Sequence, residues 1–204
     1  MRNDIQAIAW DFDGVLNRNM IDGRFVWADS IERDLGIDLD SFEAGIFSSQ
    51  FIDVISGRID LRHHIQNWLD RTDHDLTALE LLEYWFEKDD LKDPETNALL
   101  DRLRGKGIKQ VIATNNEDHR CRYIEDVSGF SHRTDHVFSS GRIGHAKPET
   151  IFFETVSNEL GLPPSALLLI DDSAKNVRAA AALGWDTFHF TERTRSQLAT
   201  FLGL

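Results

Sequence analysis

The chain has little of what marks several large classes of protein. Its 204 residues include one cysteine, Cys121, so an internal disulfide is impossible, which fits a reducing compartment. No window approaches the roughly 18 apolar residues that a membrane span needs. The amino-terminal residues lack the long apolar stretch of a signal peptide. We therefore expect a soluble, cytoplasmic protein without a membrane partner.

Positive charge is also scarce. The chain carries 22 lysines and arginines against 35 aspartates and glutamates, a net charge of −13. Because proteins bind nucleic-acid backbones through lysine and arginine, this balance argues against nucleic acid as a general partner. An anionic small molecule is compatible with it, provided that its site carries positive charge of its own. Apolar residues at 41% and charged residues at 28% are ordinary for a globular protein.

Patterns typical of buried strands alternate with helical patterns through most of the chain. This alternation predicts an α/β fold, a doubly wound parallel sheet with helices on both faces. After an apolar run at residues 5–10, we predict strands at 108–114, 135–139, 166–170 and 185–190, and helices at 94–104, 117–127, 148–160 and 173–183.

Residues 17–90 break this alternation. Their apolar residues, Leu79 and Trp85 among them, recur at helical spacing and are expected to form a core, and no buried strand is evident. We therefore predict two parts: a core made of residues 1–16 and 91–204, and a helical cap of residues 17–90 inserted after the first strand.

Two carboxylates stand where the first predicted strand ends. Asp11 and Asp13 are separated by one residue, and side chains two positions apart on a strand point the same way. Gly14 allows the backbone to turn sharply after them. Two like charges without a partner are unfavourable there, and a divalent cation is the usual remedy. Taken alone, the pair is also compatible with a simple acidic cap.

Three further groups follow predicted strands or precede predicted helices. Thr114 and Asn115 end the second predicted strand of the core, where exposed backbone N–H groups can receive a phosphate. Lys147 precedes a helix whose dipole it would oppose, so a nearby anion would explain it. Asp171 and Asp172 end an apolar strand and fit a site for a hard cation. Helix capping and solvated surface are the alternatives for these groups.

In this order along the chain, the four groups resemble the four motifs of the haloacid dehalogenase (HAD) superfamily, and in particular its small bacterial sugar-phosphate phosphatases. The resemblance covers the predicted core. It extends to Gly141-x-x-Gly144-x-x-Lys147-Pro148 and to Asp172-Ser173-x-x-Asn176, where Asn176 stands at a position that is usually acidic in the family. It implies a HAD-like core with a small helical cap, and a phosphatase that acts on a small phosphorylated metabolite, for which a sugar phosphate is one candidate.

The resemblance also implies a role for each catalytic residue. Asp11 would be the nucleophile and would form an aspartyl-phosphate. Asp13 would protonate the leaving group and then take a proton from the hydrolytic water. Thr114, the backbone of Asn115 and Lys147 would hold the phosphoryl group during its transfer.

The cofactor that the resemblance implies is Mg²⁺. Its ligands would be the carboxylates of Asp11 and Asp172 and the carbonyl of Asp13, with Asp171 as a further ligand or a close neighbour. The four carboxylates, offset by Mg²⁺ and Lys147, leave one negative charge in excess, and protonation of Asp13 removes it. Only then would the site readily accept a phosphate dianion, because phosphoryl transfer depends on charge neutralisation.

A phosphomutase of the β-phosphoglucomutase type is the main alternative. Such mutases carry an element of the type Asp-Thr/Ser-x-x-x-His/Trp soon after the first motif, and residues 17–23 contain no convincing counterpart. Haloacid dehalogenase chemistry uses an aspartate nucleophile without a metal, and Asp13 and the acidic pair would be misplaced there. A binding protein without activity is disfavoured because every required catalytic group is present.

Two histidines have the spacing of a metal pair. His132 and His136 are four residues apart, but the second enters a predicted strand and no third ligand is near in the sequence. We therefore do not expect a metal site there. The sequence decides neither the identity of the substrate nor the oligomeric state.

Overall fold

The structure, a computed structural model, describes residues 4–21 and 24–204. The start of the amino-terminal stretch that was compared with a signal peptide, residues 1–3, lies outside the described residues. Residues 22 and 23, part of the stretch compared with the mutase element, also lie outside them. The described strands are β1 (Ala7–Trp10), β2 (Met20–Ile21), β3 (Arg24–Phe25), β4 (Lys109–Thr114), β5 (His136–Ser139), β6 (Leu167–Asp171) and β7 (Asp186–His189).

The α-helices follow in chain order. They are α1 (Ile31–Leu35), α2 (Leu39–Ile46), α3 (Phe51–Ile55), α4 (Leu61–Arg71), α5 (Ala78–Asp89), α6 (Pro94–Arg104), α7 (Asp118–Arg122), α8 (Ser140–Ile143), α9 (Thr150–Leu160), α10 (Ala174–Ala182) and α11 (Leu198–Phe201). Short 3₁₀ turns occupy Val26–Ser30, Phe130–His132, Pro164–Ala166 and Arg195–Gln197, and a π-helical turn occupies Tyr123–Val127. Among these described helices, none has the length and apolarity needed to cross a membrane.

Five of the strands form one parallel sheet. Its order, β5-β4-β1-β6-β7, places β1 at the centre and takes the chain first to one side and then to the other. This confirms the predicted doubly wound α/β fold. Ile8 and Trp10 join the hydrophobic cluster on one face of the sheet, and Ala7 and Ala9 join the cluster on the other face. Because β1 is covered on both sides, it is apolar at every position.

The predicted core elements are present, with shifted ends. Helix α6 begins and ends at the predicted residues 94–104, and the Asp93 side chain caps it by accepting from the N–H groups of Glu95 and Thr96. Strand β6 runs one residue further than predicted, so Asp171 belongs to the strand. The helix predicted at 117–127 begins as α7 and continues as the π-helical turn, a change that its apolar spacing does not reveal.

The segment between β1 and α6 contains α1 to α5 and a hairpin of β2 and β3, which the helical pattern did not predict. Its helices share a hydrophobic cluster separate from those of the sheet. Phe42 lies at the centre of that cluster, with ring centroids 5.6 Å from Trp27, 5.5 Å from Trp68 and 6.1 Å from Trp85. Leu79, expected in this core, is 46% exposed instead. The boundaries of the cap at residues 17–90 stay a prediction.

The thiol of Cys121 should be unreactive in the folded protein. Cys121 is fully buried in α7, and burial raises the pKa of its thiol to about 12. Because the thiolate is the reactive form, we expect no alkylation by iodoacetamide at about pH 8 in the native state and complete alkylation in denaturing urea. Mass spectrometry of the intact protein measures both. Rapid alkylation without denaturant would contradict the burial.

Candidate active site

The parallel sheet brings the predicted site residues to one edge. Asp11 directly follows β1, and its N–H donates to the carbonyl of Ile170 on β6 at 2.8 Å. Thr114 is the last residue of β4, and Asp171 is the last residue of β6. Since β1 lies between these two strands, the polar groups stand side by side where the chain changes direction in the sheet. This is where open α/β sheets bind ligands.

A buried lysine joins two of these strand ends. Lys147 Nζ lies 3.0 Å from the carboxylate of Asp11 and 2.6 Å from that of Asp171, and all three residues are buried. Burial alone would lower the pKa of Lys147, but the two carboxylates outweigh it and raise the pKa above its ordinary value. The amine is therefore a fixed positive charge in a strongly acidic protein.

The side chain of Asn115 positions that lysine. Asn115 Oδ1 accepts from the Lys147 N–H, and Asn115 Nδ2 donates to the Lys147 carbonyl, each at 2.8 Å. Its side chain is thus occupied by the backbone of the loop that carries Lys147. This arrangement leaves only the backbone of Asn115 to contact a ligand.

The carboxylates at this edge repel one another. Burial raises the pKa of Asp11 well above its ordinary value, Asp171 adds to the effect, and Lys147 opposes it. Burial and Asp171 also raise the pKa of Asp172 to about 6, again against the influence of Lys147. Carboxylate oxygens of the three aspartates lie within 4.8 Å of one another. Such crowding is what a divalent cation relieves, and these oxygens are ligands that a hard cation prefers.

Asp171 is the most fully bonded of the three. Asn176 Nδ2 donates to both of its oxygens, at 3.0 and 3.1 Å, and the N–H of Ser173 donates to Oδ1 at 2.9 Å. With Lys147 also bonded to Oδ2, little of its acceptor capacity is left for a cation. The asparagine at the usually acidic position therefore serves to hold this carboxylate.

Gly14 stands where any other residue would be strained. Its φ of +78° is left-handed, and a Cβ there would lie 2.5 Å from the carboxylate of Asp172. Both the turn after Asp13 and the close approach of Asp172 require the absence of a side chain. Glycine at this position lets the end of β6 meet the loop that follows β1.

Asp13 is held by two asparagines to which the sequence patterns gave no role. Asn19 donates to Asp13 Oδ1 at 2.7 Å, and Asn116 donates to Asp13 Oδ2 at 2.9 Å. The same amide group of Asn116 donates to Thr114 Oγ1 at 2.7 Å. Adjacency to the second motif could have pointed to Asn116. For Asn19 the sequence offers no such signal.

Asn19 also connects Asp13 to a buried ion pair. Its amide donates to Asp89 Oδ1 at 2.8 Å, and Arg120 donates to Asp89 Oδ2 at 2.6 Å. The side chains of Asp89 and Arg120 are each 4% exposed. Burial raises the pKa of Asp89 to about 8, the charge of Asp13 adds to this, and Arg120 opposes it. The pair joins the end of α5 to α7, so spacing along the chain could not reveal it.

Further contacts hold the helices of the insertion against the sheet edge. His119 Nε2 lies 2.7 Å from Asp60 Oδ2, at the start of α4. A Cβ on Gly57 would lie 2.2 Å from the carbonyl oxygen of Gly141, so the two backbones touch. Residues of the insertion therefore contact the segments that follow β4 and β5.

The two histidines with metal-pair spacing lie elsewhere. His136 begins β5, at the end of the sheet opposite Asp11, and its ring packs on Phe138 at 4.3 Å between centroids. His132 ends the turn before that strand and is exposed.

Comparison with known proteins decides the family. A family model described as a haloacid dehalogenase-like hydrolase matches residues 5–184. The chain belongs to this family. Sesquiterpene phosphatase astK of Aspergillus oryzae is 27% identical over 100 residues, which are 49% of this chain and 51% of the relative. GMP/IMP nucleotidase YrfG of Escherichia coli is 22% identical over 195 residues, 89% of this chain and 80% of that protein. The chain thus spans about half the length of the first relative.

Solved structures of HAD enzymes share the fold. HAD family enzyme bt-2542 of Bacteroides thetaiotaomicron, in complex with magnesium and inorganic phosphate, superposes with a TM-score of 0.76. The match covers 95% of this chain and 98% of that chain at 18% sequence identity. At this identity the likeness concerns the fold, and it confirms the predicted HAD-like architecture.

The substitution Arg120→Met tests the buried ion pair. Removing the guanidinium leaves the buried Asp89 carboxylate without its cation, so at about pH 9, one unit above its native pKa of about 8, the carboxylate takes up a proton. The free energy of unfolding should therefore fall by about 1.4 kcal/mol more at about pH 9 than at about pH 6, where the carboxyl is already protonated and needs no cation. Urea unfolding followed by circular dichroism measures both values.

Arg122→Met is the matched control on the same helix. Arg122 pairs with Asp118 at 2.6 Å, but its side chain is 69% exposed. Its replacement should change the free energy of unfolding by no more than about 0.5 kcal/mol. Equal losses in the two variants, or an Arg120→Met loss that does not depend on pH, would contradict a buried charge pair.

Proposed function

We propose that the protein is a magnesium-dependent phosphatase that hydrolyses a small phosphorylated metabolite through an aspartyl-phosphate on Asp11. The observation that carries the proposal is the arrangement of Asp11 beside the buried cation of Lys147, with Asp13 held separately by two asparagines. We assign the first carboxylate to the attack and the second to the movement of protons. Membership of a hydrolase family, and its phosphatase and nucleotidase relatives, support the same reaction.

The proposed reaction has two steps. First, a carboxylate oxygen of Asp11 attacks phosphorus, the bond from phosphorus to the organic oxygen breaks, and Asp13 gives that oxygen a proton, so that an alcohol leaves. Second, water attacks the phosphorus of the aspartyl-phosphate while Asp13 takes a proton from the water. The bond to Asp11 then breaks, and inorganic phosphate leaves with both carboxyl groups restored.

Three groups are assigned to the phosphoryl oxygens. Lys147 supplies positive charge, which its two carboxylate neighbours maintain by raising its pKa. Thr114 offers a hydroxyl at the end of β4, and Asn115 offers its backbone N–H, since its side chain is bonded to the Lys147 backbone. Such fixed charges and dipoles act most strongly where water is excluded.

Asp11 and Asp172 are the carboxylates that we assign to Mg²⁺, together with the carbonyl of Asp13. The crowding of three aspartates within 4.8 Å and the raised pKa of Asp172 fit a cation there. Bound Mg²⁺ would supply the positive charge that neutralises the transferring phosphoryl group. We assign Asp171 to the positioning of Lys147, because Lys147, Asn176 and Ser173 occupy its oxygens.

Asp11→Asn should eliminate phosphate release, because an amide cannot serve as the attacking carboxylate. The control Asp4→Asn alters an exposed aspartate of the same segment and should leave turnover unchanged. In ¹⁸O-labelled water, the native enzyme should place solvent oxygen in the released phosphate. Clear residual turnover in Asp11→Asn would remove Asp11 from the nucleophile role. A hexose phosphate that isomerises faster than phosphate appears would replace the phosphatase with a mutase.

Metal binding should depend on Asp172. In Asp172→Ala, isothermal titration should show weaker Mg²⁺ binding, and phosphate release should fall in parallel. His136→Ala should change neither quantity, because that histidine lies at the opposite end of the sheet. Full activity after exhaustive chelation would overturn the assignment of a metal cofactor.

A further inference from the structure

A cavity of about 300 Å³ lies between the helices of the insertion and the carboxyl edge of the sheet. Its wall on the side of the insertion is formed by apolar side chains from β3, the end of α2, α3, α4 and α5. The rings of Phe47 and Trp85 lie 5.6 Å apart and those of Phe47 and Phe51 lie 4.8 Å apart, so the aromatic part of the wall is closely packed. Described residues of this wall include Phe25, Phe47, Phe51, Ile55, Leu61 and Trp85.

The cavity meets the proposed active site at Asp13, which is proposed to protonate the leaving oxygen, and at Asn115, whose backbone is proposed to hold the phosphoryl group. Asp11, Lys147 and Asp172 are not among its described lining residues. The phosphoryl group therefore belongs outside the cavity. The organic group, on the far side of the leaving oxygen, belongs inside it.

The polar side chains that line the cavity already have partners. Asp89 is bonded to Arg120 at 2.6 Å, and Glu117 caps α7 by accepting from the backbone N–H of Arg120 at 2.6 Å. Asn115 holds the backbone of Lys147, and Asn116 bridges Asp13 to β4. A group rich in hydroxyls would find few free partners among them and would bury unpaired hydroxyls against the apolar wall, which is unfavourable. A hydrocarbon group requires no such partner.

We propose that this cavity binds the organic group of the substrate and that the group is apolar, so that the substrate is the phosphate monoester of an alkyl, terpenoid or aryl alcohol. The inference rests on the proposed phosphatase function and narrows its substrate class. A volume of about 300 Å³ stands at the lower end of ligand pockets, which suits an organic group of moderate size. A sugar, the candidate that the sequence resemblance suggests, does not suit this lining.

The test compares n-alkyl phosphates of two to eight carbons with glucose 6-phosphate, using Mg²⁺ and phosphate release. The value of kcat/KM should rise about fourfold per added methylene until the cavity is filled, because each methylene leaves water. Hexyl phosphate should exceed glucose 6-phosphate by about a hundredfold or more. A flat dependence on chain length, or a preference for glucose 6-phosphate, would overturn the inference while leaving the phosphatase function intact.

Two neighbouring isoleucines of α3 give a matched pair of variants. Ile55 lines the cavity, whereas Ile52 is 47% exposed and is not among the described lining residues. Ile55→Asn should lower the ratio of kcat/KM for octyl phosphate over ethyl phosphate about tenfold. Ile52→Asn should keep the native ratio. Both substrates are measured with the same variant, so a smaller fraction of folded enzyme lowers both values of kcat/KM equally. The ratio between them therefore stays unchanged unless the cavity itself is altered.

Binding of n-alkyl phosphonates, which cannot be hydrolysed, separates the two proposals. Isothermal titration should show affinity that increases from ethyl to octyl phosphonate in the native enzyme and not in Ile55→Asn. If no phosphate ester is hydrolysed, the phosphatase function fails, and the same titration still decides whether the cavity takes an apolar chain. Equal affinities along the series would refute the apolar site whatever the outcome for activity.

Discussion

The rest of the site depends on the burial of Lys147 between two aspartates. A buried charge is unfavourable unless it is paired, so the amine, Asp11 and Asp171 stabilise one another only as a set. The set ties the loop before α9 to the ends of β1 and β6. Further bonds from Asn115 to the backbone of Lys147 and from Asn176 to the carboxylate of Asp171 hold two of its members. An acidic protein thereby keeps one positive charge at the point where a phosphoryl group would need it.

Asp11 and Asp13 are two residues apart, yet their surroundings differ. Asp11 is buried against Lys147, whereas Asp13 is partly exposed, lies between Asn19 and Asn116, and faces the cavity. Such separate surroundings suit the separate roles proposed for the two carboxyl groups, one as nucleophile and one as acid and base. Through Asn19, the position of Asp13 also depends on a buried ion pair between α5 and α7.

The insertion after β1 packs separately from the sheet and contributes a different kind of surface. Its helices form their own hydrophobic cluster around Phe42, so their packing does not rely on the core of the sheet. Aromatic side chains from the edge of that cluster form the wall of the cavity beside Asp13. The sheet edge thus carries the groups proposed for the chemistry, and the insertion carries the surface that would select the organic group.

The sequence by itself determined the fold class and most of the groups at the sheet edge. Apolar runs separated by helical periods indicate a parallel sheet, and the carboxyl ends of parallel strands must meet, so Asp11, Thr114 and Asp171 could be placed together from their positions alone. Only the tertiary structure decided the partners of Asp13 and the lining of the cavity. Asn19 meets Asp89 across 70 residues of chain. The spacing of residues along the chain predicts which face of a helix or strand each residue occupies. It does not predict contacts between distant elements, because those depend on how the elements pack against one another.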